Sequence, residues 1–276
     1  MTYATVMVCL SLDRPNQARL QVAGELAERF EAGIVGIAAA QFVPPMYFAD
    51  GAFAQGAIDH EETVIRKRLA GLEDQFRETV RHRSQRVEWR SAMDFPARFV
   101  LQQARCADII VSGGQGSALS DAFALAGPKD LVMQAGRPLL VAPDGANWLD
   151  IRSILVAWKD TAEARRAVAD SLPLLQKAKE VTVAEILEEG GDRAVAAARV
   201  KDVAAWLSRH GVSAAERVSE NASGDTGAQL DVMAGAAGAG LIVAGAYGHS
   251  RFRELVLGGM TEHLLTQTTR CVLLSH

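Results

Sequence analysis

Several features that identify proteins quickly are missing from this sequence. Three cysteines in 276 residues (Cys9, Cys106, Cys271), far apart and odd in number, exclude a disulfide framework. Cys9 and Cys271 lie in strand-like apolar runs and read as buried thiols of a reducing compartment. No apolar run approaches the length of a membrane span. Neither sign of charge prevails: residues 1–148 hold 15 Lys/Arg against 17 Asp/Glu, and residues 149–276 hold 14 against 16. Without a basic half there is no electrostatic groove for nucleic acid. The start, Met1-Thr2-Tyr3-Ala4-Thr5, has no positive region or cleavage site, so a soluble cytoplasmic protein is expected. There is no Gly-x-x-x-x-Gly-Lys-Ser/Thr loop, no Gly-x-Ser-x-Gly elbow, and no glycine fingerprint after the first strand of either half. These absences remove the ordinary P-loop, the serine-hydrolase elbow and the dinucleotide-binding dehydrogenase. The six histidines are scattered without metal-ligand spacing, so no metal site is expected.

What the chain has is a repeat. Val6-Met7-Val8-Cys9-Leu10 precedes a helical pattern with Leu20, Ala23, Ala27 and Phe30 on one face. Ile154-Leu155-Val156-Ala157-Trp158 precedes a matching pattern from Ala164 to Leu175. Ile109-Ile110-Val111-Ser112-Gly113 likewise parallels Leu241-Ile242-Val243-Ala244-Gly245. The two landmark pairs are offset by 148 and 132 residues, so the first half carries 16 extra residues. Most of them fall in the aromatic segment Gln41–Phe53, read as a loop, and in a helix expected over 60–84. Short, continuous apolar strands alternating with helices predict an α/β fold of two tandem Rossmann-like units, each a five-stranded parallel sheet with helices on both faces. The boundaries fall at 1–145 and 151–276. The turn-rich linker between them is too short to let the halves separate. In the second half the strands are expected near 153–158, 180–186, 213–218, 240–245 and 271–275.

The chemistry concentrates after the fourth strand of the second half. Gly245-Ala246-Tyr247-Gly248, nine residues, then Gly258-Gly259-Met260-Thr261 runs from a buried strand into a helix start. Glycines leave backbone N–H groups free to point into a concavity, and a helix N-terminus adds partial positive charge. Such a turn receives phosphate. Thr261 either caps the helix or offers its hydroxyl to an anion. His249, Arg251 and Arg253 either reach a terminal phosphate or pair with Glu254 in an exposed loop.

Segment 245–275 resembles the signature of the universal stress protein family, Gly-x-x-Gly, nine residues, then Gly-Ser/Thr. The strand–helix order of both halves is similar to that family throughout. The resemblance implies an adenine nucleotide, ATP or AMP with Mg as a candidate companion, in the crevice between the first and fourth strands. Gly245 and Gly248 would line ribose and phosphates, Gly258, Gly259, Met260 and Thr261 would cradle the phosphates, and Ile186 would meet adenine through its backbone. His249, Trp158 and Lys159 complete the candidate set. Two positions depart from the pattern: Gly259 replaces a serine, and Trp158-Lys159-Asp160-Thr161 puts lysine where nucleotide-binding members carry aspartate. Lysine cannot accept a hydrogen bond from a ribose hydroxyl, so it either meets phosphate or is solvated. In the first half, Gly113 and Gly116 fit, but nine residues on stand Ala126-Gly127-Pro128-Lys129; Pro128 has no N–H to offer and Lys129 takes the place of Thr261, which marks that half as degenerate. The resemblance further implies that the last strands of the halves pair across a pseudo-twofold, giving an intramolecular pseudo-dimer open to further homodimerisation.

Two functions stay open. One is a stress-response regulator whose nucleotide-bound surface meets an unknown protein partner; no catalytic residue is evident, and ATP hydrolysis would be at most weak. The other is a scaffold or small-ligand carrier of the same fold, with no nucleotide.

Overall fold

A computed structural model of the chain describes residues 2–42, 51–115, 125–220, 225–246, 259–266 and 269–276. The first half builds β1 (Thr5–Cys9), α1 (Gln17–Phe30), β2 (Gly33–Ala39), α2 (Gly51–Val80), β3 (Val87–Ala92), α3 (Pro96–Gln103), β4 (Ile109–Gly113), α4 (Pro128–Gln134) and β5 (Leu139–Ala142). The second repeats the order with β6 (Ser153–Ala157), α5 (Ala162–Leu175), β7 (Glu180–Leu187), α6 (Arg193–Arg209), β8 (Ala215–Glu220), α7 (Thr226–Ala236), β9 (Leu241–Gly245), α8 (Gly259–Thr266) and β10 (Cys271–Ser275).

Among the described residues the strands form one ten-stranded sheet, in the order β3-β2-β1-β4-β5-β10-β9-β6-β7-β8. Every pairing is parallel except β5 with β10, which is antiparallel, with Leu140 opposite Leu273. The sheet is therefore two five-stranded parallel sheets fused at their last strands. Strand residues alternate between two cores. Ile154, Val156 and Trp158 pack with α1, α2, α5 and α6, whereas Leu155 and Ala157 pack with α3, α4, α7 and α8. Covering both faces explains why the central strands read as unbroken apolar runs rather than alternating ones. The outer strand β8, Ala-Glu-Arg-Val-Ser-Glu, is exposed and charged, which protects that edge from pairing with another chain.

Local signals set the helices. Thr161, Asp192 and Asp225 cap α5, α6 and α7 by accepting from first-turn N–H groups. Pro96 and Pro128 occupy the first turns of α3 and α4, where a missing N–H costs nothing. The helix expected over 60–84 begins nine residues earlier, at Gly51, and ends at Val80. Two glycines and an aromatic gave residues 51–58 the look of a loop, but three alanines and a glutamine carry helical propensity through them. The rest of the aromatic segment, 43–50, lies outside the described residues. Gly36 leaves room for the Phe76–Trp89 ring pair that seats α2 on β2 and β3; a Cβ there would lie 2.8 Å from both rings.

The linker is held. Ala146 N donates to Pro143 O to close its turn. The buried Leu149 donates its N–H to Glu25 (2.8 Å) and accepts at its carbonyl from Arg29 (3.0 Å), both on α1. Tyr3, at the start of the first half, donates its hydroxyl to the Asp170 carbonyl on α5 (2.7 Å). Ser275 of β10 donates to the Asp170 carboxylate (2.8 Å).

Burial raises the Asp170 carboxyl above its ordinary value, against the Ser275 hydrogen bond that lowers it. Because the folded state holds that proton more tightly than the unfolded chain, stability from this group is present below the usual carboxylate range. It is lost as pH rises through the raised value. Asp170→Asn therefore flattens this part of the pH dependence, and urea midpoints should show the variant gaining on the wild type between acidic and neutral pH. Cys9 and Cys271 are buried thiols pushed up to about 12 by burial. Cys106 is half-buried. Alkylation of the native chain near neutral pH should label Cys106, with Cys9 and Cys271 reacting only on denaturation, as read by peptide mass spectrometry.

Candidate functional site

In the second half β6 lies between β7 and β9, so the chain leaves β6 and β9 on opposite faces of the sheet. That reversal opens a crevice at the carboxyl ends of β6 and β9, where ligands sit in open α/β sheets. The structure places Trp158 and Lys159 just past β6, Ile186 near the end of β7, and Gly245 at the end of β9. All four share this edge. Met260 and Thr261 follow Gly259 in the first turn of α8, on the face opposite α5. Gly248, His249 and Gly258 lie outside the described residues, as do Arg251 and Arg253.

The first of these positions has a structural explanation. A Cβ on Gly245 would lie 2.7 Å from the carbonyl carbon of Glu163 and 2.9 Å from Ala164 Cα. The first turn of α5 thus rests on the end of β9, and only glycine permits that approach. The N–H of Ala164 is already engaged, donating to the Thr161 hydroxyl at 3.3 Å. Gly259 differs: it is exposed, and a Cβ there would meet nothing within 4 Å. A side chain at this first position of α8 would therefore have open space.

Thr261 is not the N-cap but the third residue of α8, and it is buried. A polar side chain in that place is engaged within the fold. Lys159 forms an exposed ion pair with Glu188, from the loop after β7. Trp158 is 9% exposed, and its buried indole N–H has no hydrogen-bond partner among the described residues. A buried donor without an acceptor is an uncommon cost in a folded protein. Ile186 is half-buried and packs against the second core cluster. Among the described residues no group of three His, Cys, Asp or Glu side chains could hold a metal ion. No helix among them is long and apolar enough to cross a membrane.

Two arrangements were missed in reading the sequence. His263 of α8 and Asp231 of α7 are joined through Nε2 and Oδ2 at 2.6 Å, with Arg270 Nη1 3.6 Å from the other carboxylate oxygen. Gly227 provides the space: its Cβ would lie 2.6 Å from the Cβ of His263. This pair fastens the helix that carries Gly259 to its neighbour. Thirty-two residues separate the partners, so no local spacing announces them. The second is Arg19, buried among the apolar residues of α1. Its signal was present: Arg19, Val22, Ala23 and Leu26 form a single helical stripe with one charge in it.

No protein-family model matches the chain, and no curated protein matches it. Solved structures do. A universal stress protein from Archaeoglobus fulgidus DSM 4304 superposes with a TM-score of 0.72 over 99% of this chain and 98% of its own, at 13% identity. A putative universal stress protein from Pseudomonas aeruginosa UCBPP-PA14 gives 0.60 over 99% and 93%, at 15% identity. A functionally unknown protein from Pseudomonas aeruginosa PAO1 gives 0.58 over 99% and 92%, also at 15%. The chain therefore has the tandem Rossmann-like fold of solved universal stress protein structures, along its whole length.

The two glycines separate in a mutational test. Gly245→Ala forces a methyl into the α5 backbone, which cannot swing aside, and should cost about 1–3 kcal/mol by urea denaturation. Gly259→Ala enters open space at a helix start and should change stability by about 0.5 kcal/mol or less.

Proposed function

We propose that this chain is a stress-response regulatory protein that binds an adenine nucleotide, ATP or AMP, in the crevice of its second half. The observation that carries the reading is the start of α8. Gly259 is the first residue of α8, follows the glycine segment in the chain, and leaves open space where a Cβ would stand. Backbone N–H groups and the helix dipole suit phosphate there, and the missing Cβ lets the ligand approach closely. The unpartnered indole N–H of Trp158, at the end of β6, is a further donor that a ligand could satisfy. The reading is binding and signalling rather than catalysis.

A second reading is favoured by Gly245 and Lys159. The glycine is already explained by helix packing, and the lysine already has a carboxylate partner. On that reading the glycine segment closes the fold, and the chain is a scaffold or small-ligand carrier without nucleotide.

Thermal denaturation of the full chain with ATP, ADP and AMP separates them. A ligand that binds only the folded state adds about 2.7 kcal/mol at one hundred times its dissociation constant. On the nucleotide reading at least one of the three raises the melting temperature, Gly248→Ala abolishes the rise, and Gly259→Ser, which restores a hydroxyl without a clash, keeps or enlarges it. Unchanged melting curves with all three nucleotides would sink the reading.

A further inference from the structure

The sheet has two outer strands, β8 and β3, and they present different edges. Among the described residues β3 (Val87–Ala92) ends the sheet and pairs with β2 alone. The phase of that pairing is fixed at both ends. Ile34 N donates to Arg86 O at 2.8 Å, and Ala40 N to Ala92 O at 3.3 Å. Alternate residues of a parallel ladder face the neighbouring strand, so Arg86, Glu88, Arg90 and Ala92 turn their backbone groups toward β2. Val87, Trp89 and Ser91 turn theirs outward. Among the described residues no hydrogen bond reaches those outward groups.

Natural edges are blunted by proline, lysine, a bulge or a very short strand. β3 has neither proline nor lysine, and its register with β2 runs unbroken from Val87 to Ala92. A regular edge of this kind is a template for another strand, and the side chains say which. On one face Val87 and Trp89 pack against the core, with the Trp89 ring 5.6 Å from that of Phe76 on α2. Trp89 nonetheless stays half-buried. On the other face Arg90 Nη2 donates to Glu88 Oε2 at 2.9 Å. Arg90 Nη1 also donates to Gln103 of α3 at 2.8 Å, which holds the guanidinium in place. Glu88 is exposed.

A twofold axis normal to the sheet sets a strand antiparallel to its own copy. Directly opposed side chains share a face, so such an axis pairs only odd with odd residues and even with even. With the axis at Trp89, Val87 stands opposite Ser91 of the second copy, and Glu88 opposite Arg90. Every outward N–H and C=O of Val87, Trp89 and Ser91 then lies in a hydrogen-bonded pair. The closer pairs are Glu88 with Arg90 on both sides of the axis, so the charges alternate in sign around it. A carboxylate has lone pairs for two guanidinium partners, so the bond within each chain persists. The two Trp89 side chains meet at the centre, and aromatic cross-strand pairs are stabilising. Moving the axis to Arg90 would oppose arginine with arginine. On β8 the corresponding registers set Arg217 opposite itself, or Glu216 opposite Glu220. One outer strand is self-complementary and the other self-repelling.

We propose that β3 is a homodimerisation edge: two copies of this chain pair antiparallel through Val87–Ser91 about Trp89, joining their ten-stranded sheets into one. One strand from each copy covers less surface than an obligate interface, so the dimer is reversible and concentration-dependent. The edge is separate from the β5–β10 seam within each chain and from the second-half crevice beside β6 and β9.

Sedimentation velocity of the full chain across the micromolar range checks this. The wild type should pass reversibly from monomer to dimer mass as concentration rises. Glu88→Arg opposes arginine with arginine at both charged pairs, and Arg90→Glu opposes glutamate with glutamate. Each alone should weaken association about tenfold or more. Mixed in equal amounts, the two variants should recover a dimer as strong as that of the wild type, because each then faces its opposite. Restored contacts within one chain cannot give that result. Ser91→Pro removes an outward N–H, which an edge strand tolerates, and should block dimerisation while the far-UV circular dichroism stays that of the folded chain. Glu216→Arg, on β8, should leave association intact. The proposal is overturned by a wild type that stays monomeric across the range, or by a dimer that survives Glu88→Arg and Ser91→Pro. It is overturned equally by charge variants that fail to complement each other in the mixture, or by a dimer lost in Glu216→Arg.

Discussion

The antiparallel pairing of β5 with β10 sets the geometry of everything else in this molecule. Val141, Leu140 and Leu139 face Val272, Leu273 and Leu274 across it, and all six are buried. A parallel α/β unit normally keeps two sheet edges, each a row of unpaired backbone groups. Fusing two units at their last strands removes one edge from each. It also reverses one unit relative to the other, so the carboxyl ends of β1 and β4 point one way and those of β6 and β9 the other. Each half then owns a separate crevice, and a ligand in one cannot touch the other. The seam is reinforced on one face by α1 and α5, through Tyr3 on Asp170, Lys177 over the Phe30 ring at 5.1 Å, and the linker held at Leu149 by Glu25 and Arg29.

Within that symmetry the halves have diverged at one helical turn. Both end the fourth strand in a glycine, and both set the third residue of the following first-strand helix against it. In the second half the helix backbone makes the contact, and the turn is tight and capped by Thr161. In the first half Arg19 stands in the gap, and the Asn16 side chain turns back to Ser11 instead of capping. A single difference at that position, alanine or arginine, changes a closed helix–strand contact into a buried cation. That is a difference in chemistry on the same backbone plan, and it accounts for two halves of one fold having different crevices.

How much of this was legible in the sequence follows from the range of each interaction. The strands were readable because β-branched and leucine runs bounded by glycine carry their own signal. Β-strand positions 153–157, 241–245 and 271–275 lie within a residue of their expected places. The start of α2 was misread because Gly51 and Gly56 suggested a loop, whereas the alanines between them sustain a helix. Trp158 and Ile186 were placed at this edge through the family resemblance, and Gly245 by its glycine turn after a buried strand. The partners were not: Glu188 for Lys159, Asp231 for His263 and Gly113 for Arg19 lie 29, 32 and 94 residues away, and only the folded sheet brings them together. Gly245 shows the limit of motif reasoning most clearly. The same missing side chain suits a phosphate or a helix backbone, and only the geometry shows the helix backbone resting on it.

The donors left at the second-half crevice constrain what it can hold. The Ala164 N–H is engaged with Thr161, so the capped start of α5 offers less to a phosphate than the start of α8. Lys159 is paired, but both members of its pair with Glu188 are exposed, and such pairs contribute about 1 kcal/mol or less. A polyphosphate near the end of β6 would therefore draw Lys159 from Glu188 at small cost, turning the departure from the aspartate pattern into a phosphate contact. A ligand recognised mainly by its ribose would gain nothing from the lysine, which has no acceptor to offer. Of the described groups on this edge, Lys159 and the Trp158 indole N–H are donors suited to an anionic ligand. On the nucleotide reading proposed above, a further phosphate would have Lys159 to meet, whereas the base and ribose would gain nothing from it.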